Sequence, residues 1–321
     1  MTNEELLYKL NKIYIKSIDK KLGEFDYILE IDIDDDRVRL LFNNFSTDED
    51  LKHEVKLAVA KLIKIDLGFP SLKFAYDESE NPQPIKRVTT VSDNTKIVAI
   101  ASGKGGVGKS QVTVNIARLY KEKGFNVGII DADIYGFSIP RILNLYGTPT
   151  IDNGLVQPLE KDGMQVISAQ YFIEGNENKS INWRGAMLTN LVKQFFYDVN
   201  WNKNLDYIFI DMPPGTGDIY MDVPIIAPQV EMIIVTTSSL DAAHVAIRVG
   251  LTAQELNIPI IGVIENMSFY EIDNKKHYIF GEGGGQSVCD TLSLPHLGQI
   301  PITQDKDIIK LAFENIYNKI K

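Results

Sequence analysis

The chain has 321 residues, with 33 Lys and Arg against 43 Asp and Glu, a formal charge of -10. An acidic balance gives no whole-chain attraction to nucleic acid, and one cysteine with four histidines supplies neither a disulfide framework nor a familiar closed zinc cage. No apolar run approaches bilayer-spanning length, and segment 1–12 mixes acids with lysines, so the expectation is a cytoplasmic protein with no transmembrane segment and no specific nucleic-acid partner.

Leu and Ile recur from Glu4 to Tyr14 and predict an opening helix. Candidate strands follow at Tyr27 to Ile33 and Arg37 to Phe42. Leu51, Val55, Ala58, Val59 and Leu62 then recur at helical spacing, and Leu72 to Ala75 returns as a strand. The order α-β-β-α-β predicts a small α+β domain over residues 1–78. An acidic, polar stretch with Pro82 and Pro84 reads as a linker at 79–94.

From 95 to 321 the apolar runs Lys96 to Ala101, Val127 to Asp131, Tyr207 to Ile210, Glu231 to Thr236 and Ile260 to Ile264 alternate with longer helix-like segments. Short, continuously apolar strands suit a sheet covered on both faces. The predicted fold is therefore α/β, with a doubly wound, mostly parallel sheet and the small α+β domain ahead of it.

Directly after the first of these strands stand Gly103, Lys104, Gly105, Gly106, Val107, Gly108, Lys109 and Ser110, followed by Gln111 and a helical apolar period. Glycines let backbone amides converge on phosphate oxygens, the helix adds its positive end, Lys109 reaches the terminal phosphates, and the Ser110 hydroxyl is placed for Mg²⁺. This predicts a P-loop NTPase domain with ATP and Mg²⁺ as cofactors. Asp131 and Asp133 follow the next strand; we assign Asp133 to water positioning and Asp131 to the metal shell, a loop cap being the competing role for one of them. Asp211 ends the strand at Tyr207, where a Walker-B carboxylate belongs, and Pro213, Pro214, Gly215, Thr216, Gly217 and Asp218 read as a γ-phosphate-sensing switch loop.

Together with Gly136, Trp183, Arg184, Gly185, Ala186, Met187 and the run Glu265, Asn266, Met267, Ser268, these motifs closely resemble the Mrp-type iron-sulfur cluster carriers. These are P-loop ATPases of the deviant Walker-A group that includes MinD and ParA relatives. The resemblance covers residues 95 to 315. It implies an ATP-hydrolysing homodimer in which Lys104 reaches phosphates bound by the opposite subunit. It also implies that Asn266 reads adenine, that Pro301 lies beside the base, and that Asp218 belongs to the switch. Catalytic roles then fall to Lys104, Lys109 and Asp133. Residues 1–78 resemble a divergent form of the small iron-sulfur assembly domain often fused to these ATPases, which implies assembly or apo-client proteins as partners.

The family places a Cys-x-x-Cys pair between the Glu265 motif and the stretch from His277 to Gly281, where the thiolates bridge a cluster between subunits. Here that interval is Phe269 to Lys276 and contains no cysteine. Cys289 reads as a small buried hydrophobe, and Glu271, Asp273 and His277 as solvated loop residues. No iron-sulfur ligand is therefore assigned, although the resemblance itself implies a cluster. The competing reading is an ATP-dependent dimeric scaffold or partitioning-like adaptor without cluster chemistry. A further reading is an assembly factor whose partners hold the cargo.

Overall fold

The computed structural model describes residues 2–25, 27–34, 37–46, 48–77, 89–133, 136–152, 155–172, 185–217, 219–273 and 275–320. The chain divides into two units, Met1–Thr89 and Thr90–Lys321. Most of the segment read as a linker, including Pro82 and Pro84, lies outside the described residues, as do Trp183, Arg184 and Asp218.

In the first unit, α1 (Asn3–Leu10) opens with a capping box, in which the Thr2 hydroxyl accepts from Glu5 N–H at 3.1 Å and Glu5 accepts from Thr2 N–H at 3.0 Å. The helix expected to run to Tyr14 stops at Leu10, because Tyr14–Ile15 pairs with Lys20–Lys21 and Ile15 is buried. Strands β1 (Ile28–Asp34) and β2 (Arg37–Phe42) pair antiparallel, and β3 (Ser71–Tyr76) joins β2 in parallel. Between β2 and β3 runs α2 (Glu49–Lys61), whose Leu51, Val55 and Val59 are buried. Asp48 caps it by accepting from Asp50 and Leu51 N–H at 2.9 and 3.1 Å.

The second unit is built on an eight-stranded sheet of β4 (Lys96–Ala101), β5 (Val127–Asp131), β6 (Leu159–Lys161), β7 (Met164–Ser168), β8 (Tyr207–Asp211), β9 (Glu231–Thr236), β10 (Ile260–Glu265) and β11 (His296–Gln299). The spatial order is β6-β7-β5-β8-β4-β9-β10-β11, parallel throughout except where β6 pairs with β7. The helices are α3 (Lys109–Glu122), α4 (Ile139–Leu143), α5 (Gly185–Tyr197), α6 (Ile219–Ile226), α7 (Leu240–Glu255), α8 (Gly284–Leu292) and α9 (Lys306–Ile320).

From β4 the chain crosses through α3 toward one edge of the sheet, and from β9 through α7 toward the other. With right-handed crossovers, opposite directions of travel put these helices on opposite faces. The fold is therefore the doubly wound, mostly parallel α/β architecture that the apolar runs predict. Its switch point, where loops diverge and ligands bind in such sheets, lies at the C-terminal end of β4. No helix among the described residues is long and apolar enough to cross a membrane.

Three strands have no counterpart among the apolar runs. β6 and β11 keep only a few inward residues, such as Leu297, among polar ones, and β7 is the five-residue Met164–Ser168. A further hairpin, Tyr270–Ile272 with Lys275–His277, buries none of its residues. Sheet edges and solvated hairpins lack the double burial that makes a central strand read as apolar.

Candidate functional site

The register of the sheet assembles the site. Asp211 on β8 lies opposite Asp131 on β5, which in turn lies opposite Ser168 on β7, so three polar residues end adjacent strands at one level. The loop from Ser102 to Gly108 rises from β4 beside them and enters α3 through Gly108, at φ +82°. That backbone is left-handed, and a Cβ at Gly108 would also fall 2.2 Å from Asn266 Nδ2. At Gly103 the constraint is proximity: a Cβ there would lie 2.3 Å from the Val245 carbonyl carbon of α7.

Lys109, in the first turn of α3, is 5% exposed. Its ammonium lies 2.7 Å from Asp211 Oδ1 and 3.3 Å from Asp133 Oδ2. Ser110 Oγ donates to Asp211 Oδ2 at 2.5 Å, and the Thr113 hydroxyl lies 3.1 Å from Oδ1. Asp211 is thus a buried anion with three donors around it. Removing one partner of such a buried pair costs about 3–5 kcal/mol, because the other charge is left without compensation.

Asp131 has a different environment. It is fully buried, accepts from Ser168 Oγ at 2.9 Å and from Asp133 N–H at 3.2 Å, and does not line the cavity below. Burial, reinforced by Asp211 alongside, holds its carboxyl well above the ordinary range. Burial raises Asp211 as well, but Lys109 and Ser110 pull it back. The Lys109 ammonium contacts Asp211 and Asp133, which leaves Asp131 with the Ser168 hydroxyl and the Asp133 N–H as its partners. The carboxylate that touches the Ser110 hydroxyl is Asp211.

A cavity of about 960 Å³ opens over this cluster. Of the residues singled out in the sequence, Lys104, Gly105, Gly106, Val107, Gly108, Lys109, Ser110, Gln111, Asp133, Gly136, Pro213, Pro214 and Gly217 line it. Gly103, Gly215, Asn266 and Pro301 do not. Gly215 N–H instead donates to Ser102 O at 2.9 Å, tying the switch loop to the P-loop. Asn266 is buried; its Nδ2 donates to Val107 O at 2.9 Å and its N–H to Thr236 O at 2.8 Å. Ser268 N–H donates to Ile300 O and Ile302 N–H to Phe269 O, which holds the loop at Pro301 against the strand that carries Asn266. Lys104 and Gln111 are exposed.

Sequence reasoning missed Thr113, Ser138, Arg141 and Ser168. Only Thr113 left a signal, standing four residues after Lys109 on the same helix face. Ser138 Oγ lies 2.8 Å from Ser110 Oγ and lines the cavity with Arg141. The hydroxyls of Ser110 and Ser138 with the carboxylates of Asp211 and Asp133 gather hard oxygen donors, the type Mg²⁺ accepts when phosphate and water complete its shell.

This strand-end cluster beneath a glycine loop occurs in a chain whose residues 93–312 match the ParA family, described as NUBPL iron-transfer P-loop NTPase. The chain belongs to that family. It is 37% identical over 308 residues to an iron-sulfur cluster carrier protein of Bacillus subtilis, covering 90% of this chain and 86% of that protein. It is 44% identical over 259 residues to an iron-sulfur cluster carrier protein of Mycobacterium leprae, covering 78% of this chain and 63% of the relative. The chain thus spans less than two thirds of that relative's length. Among solved structures, a nucleotide-binding protein from Archaeoglobus fulgidus in complex with ADP is 31% identical, with a TM-score of 0.54 over 70% of this chain and 88% of that one.

Within this iron-transfer family the hairpin at Tyr270 is the segment to examine for cargo ligands. Its paired residues are Tyr270 with His277, Glu271 with Lys276 and Ile272 with Lys275. Cys289 lies elsewhere, buried on α8, and burial with Asp290 and Glu265 nearby pushes its thiol up to about 11. Cluster iron takes thiolates, and a protonated, buried thiol is a poor donor. Among the described residues no three of His, Cys, Asp and Glu are arranged to hold a metal ion. A cluster held by thiolates would need ligands beyond the single Cys289 of the chain.

Proposed function

We propose that this chain binds ATP with Mg²⁺ in the cavity beneath Gly105–Ser110 and hydrolyses it slowly, and that its phosphate state governs the pairing of two copies and their engagement of iron-sulfur assembly or client proteins. The observation that carries the reading is the contact of Lys109 and Ser110 with Asp211, with Asp133 on the same ammonium, under a glycine loop.

Lys109 is held between two carboxylates, and the γ-phosphate competes with Asp133 for its ammonium. Asp133, so released, accepts a hydrogen bond from water and aligns it with the γ-phosphorus. The water oxygen bonds to that phosphorus as the bond to the β–γ bridging oxygen breaks. ADP and inorganic phosphate are formed, and the water's proton leaves by way of Asp133. Ser110 holds Mg²⁺ with Asp211 in reach behind it; when bound, the ion supplies neutralisation of phosphate charge. Lys104, exposed at the loop, serves the phosphates of the opposite subunit in the pair. Asn266, with Pro301 in the adjoining loop, is assigned to adenine. Pro213, Gly215 and Asp218 belong to the loop that follows the phosphate state, and Asp131 acts behind Asp133.

Steady-state phosphate release from the purified chain tests this. Lys109→Ala and Asp133→Asn are expected to lose about 100-fold or more, and Lys104→Ala a similar amount through the dimer. Equal rates in all variants would sink the mechanism. The cysteine-free hairpin favours a second reading, in which the chain is an ATP-dependent scaffold and partners hold any cluster. Anaerobic reconstitution followed by iron and sulfide counting separates the two: stoichiometric cluster on the isolated chain excludes the scaffold reading.

A further inference from the structure

The cations lining the nucleotide cavity are Lys104, Lys109 and Arg141. Lys109 is engaged by Asp211 and Asp133. Arg141 is exposed and forms no ion pair with any described residue, so its charge is uncommitted. Its carrier is the short helix α4, anchored by buried Ile139, Pro140 and Leu143, which leaves Arg141 on the cavity side.

The hydrogen bonds fix which end of the cavity this is. Ser138, at the N-cap of α4, has its hydroxyl 2.8 Å from that of Ser110. Arg141, three residues along the chain, lines the cavity with Ser138, whose hydroxyl marks the Ser110 end. That is the end of Lys109, Asp211 and Asp133; the contact of Asn266 with Val107 marks the other side of the loop. A guanidinium there presents a planar fork of donors, which suits two phosphate oxygens at once.

We infer that Arg141 is a catalytic residue acting within its own subunit, its guanidinium binding the γ-phosphate oxygens of ATP and stabilising the charge that develops on them as the bond to the bridging oxygen breaks. The inference rests on the ATPase reading above. It adds a cation on α4 that requires no second subunit, and it makes α4 responsive to the presence of the γ-phosphate. ADP lacks the group that Arg141 contacts.

The test uses the full chain with Mg²⁺, ATP and ADP, comparing wild type with Arg141→Gln and Arg141→Lys by calorimetry and single-turnover hydrolysis. For Arg141→Gln, ATP affinity is expected to fall about 10-fold while ADP affinity stays within about 2-fold, and hydrolysis to slow about 100-fold. Arg141→Lys, which keeps the charge but not the fork, should recover part of the rate. Hydrolysis by Arg141→Gln within about 2-fold of wild type would overturn the inference, as would an equal fall in ATP and ADP affinity. In either case wild-type turnover leaves the ATPase reading standing. Wild type that takes up no nucleotide would remove both.

Discussion

Asp131 and Asp211 end neighbouring strands, yet their surroundings differ. Asp211 has Lys109 at 2.7 Å, while Asp131 has the Ser168 hydroxyl and a backbone N–H. A carboxyl raised in the folded chain adds stability that is complete below the ordinary carboxylate value of about 4 and is lost as pH rises through the folded value. Asp131→Asn keeps an oxygen that accepts from Asp133 N–H and turns the Ser168 contact round, its amide N–H donating to Ser168 Oγ, and so removes that loss. Its thermal midpoint is expected to match wild type near about pH 4 and to exceed it by about 2–4 °C at neutral pH. Midpoints that run parallel across the whole pH range would show that Asp131 is ionised in the fold.

Among the elements, the ends of β10 and β11 are tied to α8 through one side chain. Glu265, 1% exposed, accepts from Gly285 N–H at 2.6 Å, from Gln299 Nε2 at 3.0 Å and from the Ser268 hydroxyl. The Gly285 contact supplies an acceptor to the first turn of α8, where backbone donors have no partner within the helix. The next residue, Asn266, holds the P-loop at Val107, so the strand that anchors α8 also buttresses the nucleotide loop. Glu265→Ala leaves two buried donors and the half-buried Gln299 amide without this acceptor and is expected to destabilise the second unit by about 3 kcal/mol, against about half of that for Glu265→Gln, which keeps one oxygen. Urea unfolding of both variants measures this; two values indistinguishable from wild type would mean the carboxylate is dispensable.

For the whole molecule, the notable feature is two cores with no residue in common. One is built around Leu6, Leu10, Phe42, Leu51 and Val55; the other follows the eight-stranded sheet. Phe42 is fully buried and its ring packs on Tyr27, Phe45, Phe74 and Tyr76. Phe42→Ala is expected to cost the first unit about 3–5 kcal/mol. In scanning calorimetry this should appear as a lowered transition for that unit, with the second transition and the ATP affinity unchanged. A joint downward shift of both transitions would show that the two units unfold as one.

Much of this was legible in the chain itself. Lys96 to Ala101, Val127 to Asp131 and Glu231 to Thr236 read as strands because double burial makes them largely apolar, and Arg37 to Phe42 because buried Val38, Leu40 and Phe42 alternate with more exposed neighbours. The P-loop was legible because its chemistry needs glycines, Lys109 and Ser110 within one turn and a helix start. What the tertiary structure alone decided is which distant residues meet: Asp211 beside Asp131, Ser168 behind it, Ser138 against Ser110 and Arg141 over the same cavity. Periodicity and spacing record what a residue needs from its near neighbours along the chain. Strand register and crossover direction join residues as distant along the chain as Val98 and Glu231, and no local pattern encodes that pairing.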